Sequence, residues 1–215
     1  MSRTVEKITV DMHAERLARD LERYVQKALE LGATHAAVIK AEEIPVDERI
    51  TLKCQIPRCF GYGAGANCPP NTMKPAELRE ILKKYHSAVV FTMDVPPEVI
   101  ARNKATIEAR VGAFQKIYKM VSEVESLAFY DGHYLAFGFG AGSCRHTFCG
   151  QQDSCLALEG KRCRFSLISR PSMEAVGIDV YQLVARLGWD IYPIGSGAKP
   201  EDLPKGVLAG IVIVQ

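Results

Sequence analysis

No apolar run in this sequence approaches the ~20 residues that span a bilayer. The opening residues carry acids and a helical pattern in place of the apolar core and small-residue cleavage site of a secretory signal. Both absences point to the cytoplasm. A net charge of +2 is too small to argue for nucleic acid as a partner. No linker-like stretch divides the chain, so residues 1–215 read as a single domain. Nucleotide loops are missing too: Gly138, Gly140 and Gly142 give G-x-G-x-G, not the dinucleotide pattern G-x-G-x-x-G, and no P-loop lysine follows. Five histidines are scattered, and Glu42 with Glu43 reads as a solvated turn. His13 and His35 fit a helix surface and a strand end. No proton-transfer residue is assigned, and the catalytic residues stay unknown.

Against these gaps stand seven cysteines in two groups, Cys54, Cys59 and Cys68, then Cys144, Cys149, Cys155 and Cys163. An odd number cannot be used up in disulfides, and in a reducing compartment such clusters read as metal-binding or catalytic. The second group, C-x4-C-x5-C-x7-C, supplies the four thiolates of one cluster or one zinc. The first, C-x4-C-x8-C-P, is one short. Its fourth ligand is open between a side chain such as His86 or His146, an exchangeable water or substrate, and a cluster shared by both loops. Zinc sites favour C-x2-4-C knuckles, and no C-x2-C appears, so the spacing favours one or two 4Fe-4S clusters over zinc. His146, inside a metal loop, fits a hydrogen bond to a metal ligand better than ligation itself.

An internal echo accompanies the cysteines. Phe-Gly-Tyr-Gly-Ala-Gly-Ala-Asn-Cys (60–68) and Phe-Gly-Phe-Gly-Ala-Gly-Ser-Cys (137–144) share an aromatic-glycine pattern leading into a cysteine. Chance likeness of glycine-rich loops is one reading. The other is that Gly63, Gly65, Gly140 and Gly142 bring backbone N–H groups close to a cofactor's sulphur. Arg145, Lys161, Arg162, Arg164 and Arg170 surround the second group. They fit counter-charge for bound thiolates, a docking patch for an acidic redox partner, or an anionic substrate site.

Apolar spacing predicts a helix from about Asp11 to a Gly32 cap, strands over 34–40 and 87–93, and a helix from Pro75 through Tyr85. A long helix follows from Pro97, capped at Asp131 and Gly132, although that pair also suits a hairpin turn. Strands are expected over 133–137, 189–192 and 207–214, and a broken helix capped by Ser172 and Asp179. The order implies an α/β or α+β fold: a mixed sheet flanked by helices, with cysteine loops (54–70 and 142–165) at one edge.

Three stretches together resemble a family of uncharacterised predicted metal-binding proteins. They are Cys-Gln-Ile-Pro-Arg-Cys-Phe-Gly-Tyr-Gly-Ala-Gly-Ala-Asn-Cys-Pro-Pro (54–70), Gly-Ala-Gly-Ser-Cys (140–144) with Cys149, Cys155 and Cys163, and Arg-Pro-Ser-Met-Glu-Ala-Val-Gly-Ile-Asp (170–179). The likeness runs from about Leu31 to Tyr192. Proteins of that family look like iron-sulphur proteins of anaerobic bacteria and archaea. The resemblance implies metal ligation by all seven cysteines, and a structural or pocket-shaping role for Pro69, Pro70, Arg170, Pro171, Ser172 and Glu174. Three functions remain open: an electron-transfer protein, an enzyme with an open three-cysteine cluster, or a zinc-stabilised interaction module.

Overall fold

The computed structural model describes residues 14–101, 106–195 and 197–214, together with Val5, Lys7 and Ile8. The first turn expected from Asp11, and His13 with it, lie outside the described residues. Two apolar runs dominate the fold. Strands β2 (Ser87–Val95) and β4 (Gly206–Val214) are buried almost throughout, as continuous Val/Ile/Leu runs must be when both faces of a sheet are covered. They pair antiparallel at the centre of a sheet ordered β1, β2, β4, β3, with β1 (His35–Lys40) and β3 (Phe137–Phe139) at its edges.

Period-two alternation sends the strands' side chains to two layers. Val89, Phe91, Met93, Val212 and Val214 pack against α1 (Ala14–Glu30) and α5 (Ile107–Tyr130). Ala88, Val90, Ala209, Ile211 and Ile213 face the other way, onto α3 (Pro75–Leu82) and α7 (Val180–Arg186). Helices on both faces bear out the expected sheet flanked by helices. All ladders between the named strands are antiparallel, so the sheet is of the α+β kind, and a lone parallel bridge joins Gly140 to Ser172. Among the described residues no helix is long and apolar enough to cross a membrane.

The helix caps fall where the sequence puts them. Gly32 and Gly132 take left-handed φ of 98° and 99°, which removes the hairpin alternative at Asp131. Asp179 caps α7 by accepting from the Gln182 N–H at 3.0 Å, and Ser172 Oγ accepts from the Ala175 N–H at 3.2 Å. The periodic stretch after Pro97 forms two described helices, α4 (Pro97–Ile100) and α5.

Two strand expectations fail. Residues 133–136 are turn, and the strand begins at Phe137. His133 is fully buried there, its N–H donating to the Ala128 carbonyl at 3.0 Å to close the end of α5 and its Nε2 lying 3.1 Å from Asp20 Oδ2. Residues 189–192 have no regular structure. Trp189 instead stacks on His35, ring centroids 5.2 Å apart, and Trp189 and Ile191 pack on the core without pairing.

Candidate metal centre

The cysteines reach the site on two irregular segments. Helix α2 (Glu48–Gln55), capped by Asp47 accepting from the Arg49 N–H, carries Cys54 in its last turn. From there the chain proceeds by successive turns: the Cys59 N–H donates to the Cys54 carbonyl at 2.9 Å, and the Cys68 N–H to the Gly65 carbonyl at 3.2 Å. Gly63, at φ 74°, donates to the Pro69 carbonyl at 2.7 Å and closes the loop.

The second segment leaves the edge strand β3 at Gly140. Its N–H donates to the Pro171 carbonyl at 2.9 Å and its carbonyl accepts from the Met173 N–H at 3.0 Å, so the loop's two ends are fastened together. A Cβ at Gly140 would lie 2.8 Å from the Tyr118 ring, which is why no larger residue fits. Short helix α6 (Cys144–Phe148) then carries Cys144, and Cys149 is its C-cap.

Sequence does not foretell how the loops meet. Asn67, directly before Cys68, donates Nδ2 to Cys144 Sγ at 3.5 Å and to Ser169 Oγ at 2.8 Å. Reciprocally, the Cys68 thiol donates at 3.3 Å to the hydroxyl of Ser143, the residue directly before Cys144. Each loop thus supplies polar contact to the other's sulphur. A Cβ at Gly65 would stand 3.3 Å from Arg145 Cβ, so the segments are in van der Waals contact as well. The internal echo therefore has a physical counterpart, carried by the residue in front of each cysteine.

Cys144, Cys155 and Cys163 line one cavity of about 220 Å³ together with Ala66, Asn67 and Ser169. All seven thiols are free. Among the described residues no three Cys, His, Asp or Glu side chains form a group that could hold a metal ion; Cys144, Cys155 and Cys163 line a space.

Electrostatics bind the two groups together. Burial pushes the Cys54 thiol up to about 11, helped by the charges of Cys59 and Glu174. Cys68 and Cys144 are raised by burial, and the neighbouring sulphurs Cys144, Cys59 and Cys155 add to the first, Cys155 and Cys163 to the second. Cys149 is raised by burial, with Arg145 opposing. Cys155 goes the other way: burial is outweighed by the backbone N–H groups of Ala66, Leu158 and Ala157 and by Arg145. Gathered thiolates repel one another, and a bound cation relieves that repulsion at every sulphur at once.

The contrast can be read chemically. At pH 8 a thiol titrating at about 11 is roughly 0.1 % thiolate, and the thiolate is the nucleophile. In metal-free protein, a short iodoacetamide pulse at that pH should modify Cys155 ahead of Cys54. Peptide mass spectrometry checks the order, and equal labelling of the two contradicts it.

The fold and this interlocked pair of loops define an α+β protein whose two cysteine-bearing loops contact each other. Residues 37–208 match a family described as predicted metal-binding protein (DUF2284), and the chain belongs to it. That span includes all seven cysteines. No curated protein and no solved structure matches the chain.

Of the other expected site residues, His146 sits on α6 with Nδ1 3.3 Å from Ser143 Oγ and its ring edge-on to Phe60, so it reaches Cys68 only through Ser143. His86 lines a separate cavity with Glu42, Arg79 and Lys83, away from every cysteine. The amides of Gly63 and Gly140 are taken by the Pro69 and Pro171 carbonyls. The amides that reach sulphur are instead those of Ala66, Ala157 and Leu158 at Cys155 and of Phe165 at Cys163, the last at 3.4 Å. Asn67, Ser143 and Ser169 went unrecognised in the sequence, and the echo was the one signal that marked two of them.

Proposed function

We propose that this chain is an iron-sulphur protein. Cys144, Cys149, Cys155 and Cys163 hold one 4Fe-4S cluster, Cys54, Cys59 and Cys68 hold a second, and the protein exchanges single electrons with a partner. One observation carries the reading. Three thiols from the second group share a cavity of about 220 Å³ into which the other loop directs a backbone N–H and an amide side chain. That volume far exceeds the roughly 10–15 Å³ that one water needs on the same measure, and it suits a polynuclear core better than one zinc ion. Donors aimed at sulphur are also the groups that set the potential of an iron-sulphur centre.

When bound, the clusters supply one-electron redox chemistry. The chain's own residues tune and protect it. Asn67, Ser143 and the Ala66, Ala157 and Leu158 amides stabilise negative charge on the thiolates. Gly65 keeps the two loops close, and Gly142, at φ 67° with no space for a Cβ beside Phe114, seats the second loop on α5. Free thiols throughout fit a reducing compartment such as the cytoplasm. Around the second group Lys161, Arg162 and Arg164 are exposed beside the apolar Leu158 and Leu167, the last 82 % exposed. With Arg145 they form a basic, partly apolar rim that suits an acidic electron carrier.

Anaerobic purification with iron, sulphide and zinc counted per chain tests the proposal. About eight irons with matching sulphide support two clusters and about four support one. Stoichiometric zinc without sulphide rejects the iron reading in favour of a zinc-stabilised module.

A further inference from the structure

The first cysteine group brings three thiolates to a cluster that takes four donors; His86 lines a separate cavity, and His146 turns its Nδ1 to Ser143. We propose that Glu174 is the fourth donor, its carboxylate binding the fourth iron of the centre held by Cys54, Cys59 and Cys68. This deepens the iron-sulphur reading and rests on it.

Five buried side-chain N or O atoms among the described residues have no hydrogen-bond partner: Tyr24 Oη, Thr92 Oγ1, Asp94 Oδ1, His133 Nδ1 and Glu174 Oε2. Four belong to α1, β2 and the turn after α5. Glu174 alone adjoins the metal site. It opens the single turn Glu174–Val176, which packs against α2, the helix that carries Cys54. Its charge is felt at Cys54 on one side and, on the other, at Tyr118, which also feels Cys68 and Cys144. Glu174 therefore stands in the layer beneath both loops.

Its surroundings hold the carboxylate in place without satisfying it. Ser172 and the residue's own backbone N–H bond to it, and the turn is anchored by the Gly140 bonds to Pro171 and Met173. No lysine, arginine or histidine is among the groups acting on it. Burial disfavours the charged form of this carboxyl and raises its pKa, and thiolates next to it would disfavour that form further. A metal held by those same thiolates removes both penalties, and it gives the orphaned oxygen a partner. A hard oxygen donor among three soft sulphurs would also mark one iron as different from its neighbours.

The test uses the whole chain, purified anaerobically. In unmodified protein enriched with ⁵⁷Fe, Mössbauer spectra should show one iron site set apart from the sulphur-ligated rest. Glu174→Gln keeps the shape and the neutral hydrogen bonds but loses the anionic donor. It should cut the iron content by about half, to the level of a single 4Fe-4S cluster, and erase or alter the first centre's EPR signal while leaving that of the second group, which serves as the control for folding. Equivalent irons in the Mössbauer spectrum, or a Glu174→Gln protein with full iron and an unchanged EPR spectrum, overturn the assignment and leave the iron-sulphur reading standing. Iron-free unmodified protein overturns both.

Discussion

Arg170→Ala is expected to lower stability by about 3–5 kcal/mol, because it strands a buried carboxylate. The Arg170 guanidinium bonds Glu125 on α5 through both oxygens, Nε to Oε2 at 2.8 Å and Nη2 to Oε1 at 2.5 Å. The two side chains are only 15 % and 14 % exposed. Nη1 also donates to the Ser166 and Ser169 carbonyls at 3.2 and 2.8 Å, and Glu125 accepts the Gly138 N–H of β3 at 2.7 Å. One ion pair thus ties the long helix, the edge strand and the end of the second cysteine loop. Truncating the arginine leaves Glu125 with a single amide donor and frees two carbonyls. For a chain of this size the loss corresponds to a drop in Tm of about 10 °C, measurable by thermal unfolding. A fall under about 2 °C would show that the pair is not desolvated as its burial indicates.

Removing the metal should have a larger and more local effect. The loops 54–70 and 142–165 contain little regular structure and few buried apolar residues, and contacts between cysteines and their neighbours hold them together. Where a site exists only in the folded state, the free energy of metal binding is free energy of ordering. Chelation under oxidising conditions, followed by reduction, should speed hydrogen exchange in both loops on the order of a hundredfold or more. Amides of β2 and β4, at the centre of the sheet, should stay protected. Exchange that rises uniformly across the chain would mean that the metal supports the whole fold, and exchange that does not change would mean that it supports neither loop.

Legibility differed sharply between the frame and the site. β2 and β4 could be read because both are continuous apolar runs, and Gly32 and Gly132 because a left-handed cap favours glycine. Helix α2 could not. None of its residues is buried, so it has no apolar stripe; the Asp47 cap and its packing on the turn at Glu174 account for it. Helix α6 is a single short turn whose place depends on the loop around it. Trp189 and Ile191 alternate like a strand, yet they satisfy their apolar surface by packing alone. The cysteines announced a metal. What their spacing could not convey is the crossed contact of Asn67 with Cys144 and of Ser143 with Cys68, made across 77 and 75 residues of chain. Glu174 was visible only as part of a resembling motif, since nothing in a sequence tells a buried orphan oxygen from a solvated one.

X-ray absorption at the iron and zinc edges of protein isolated without oxygen bears most directly on what the interlocked loops enclose. The account predicts a strong iron edge with sulphur in the first coordination shell and a short iron-to-iron distance behind it. A bare zinc edge with four sulphur neighbours, or no metal edge at all, would contradict it.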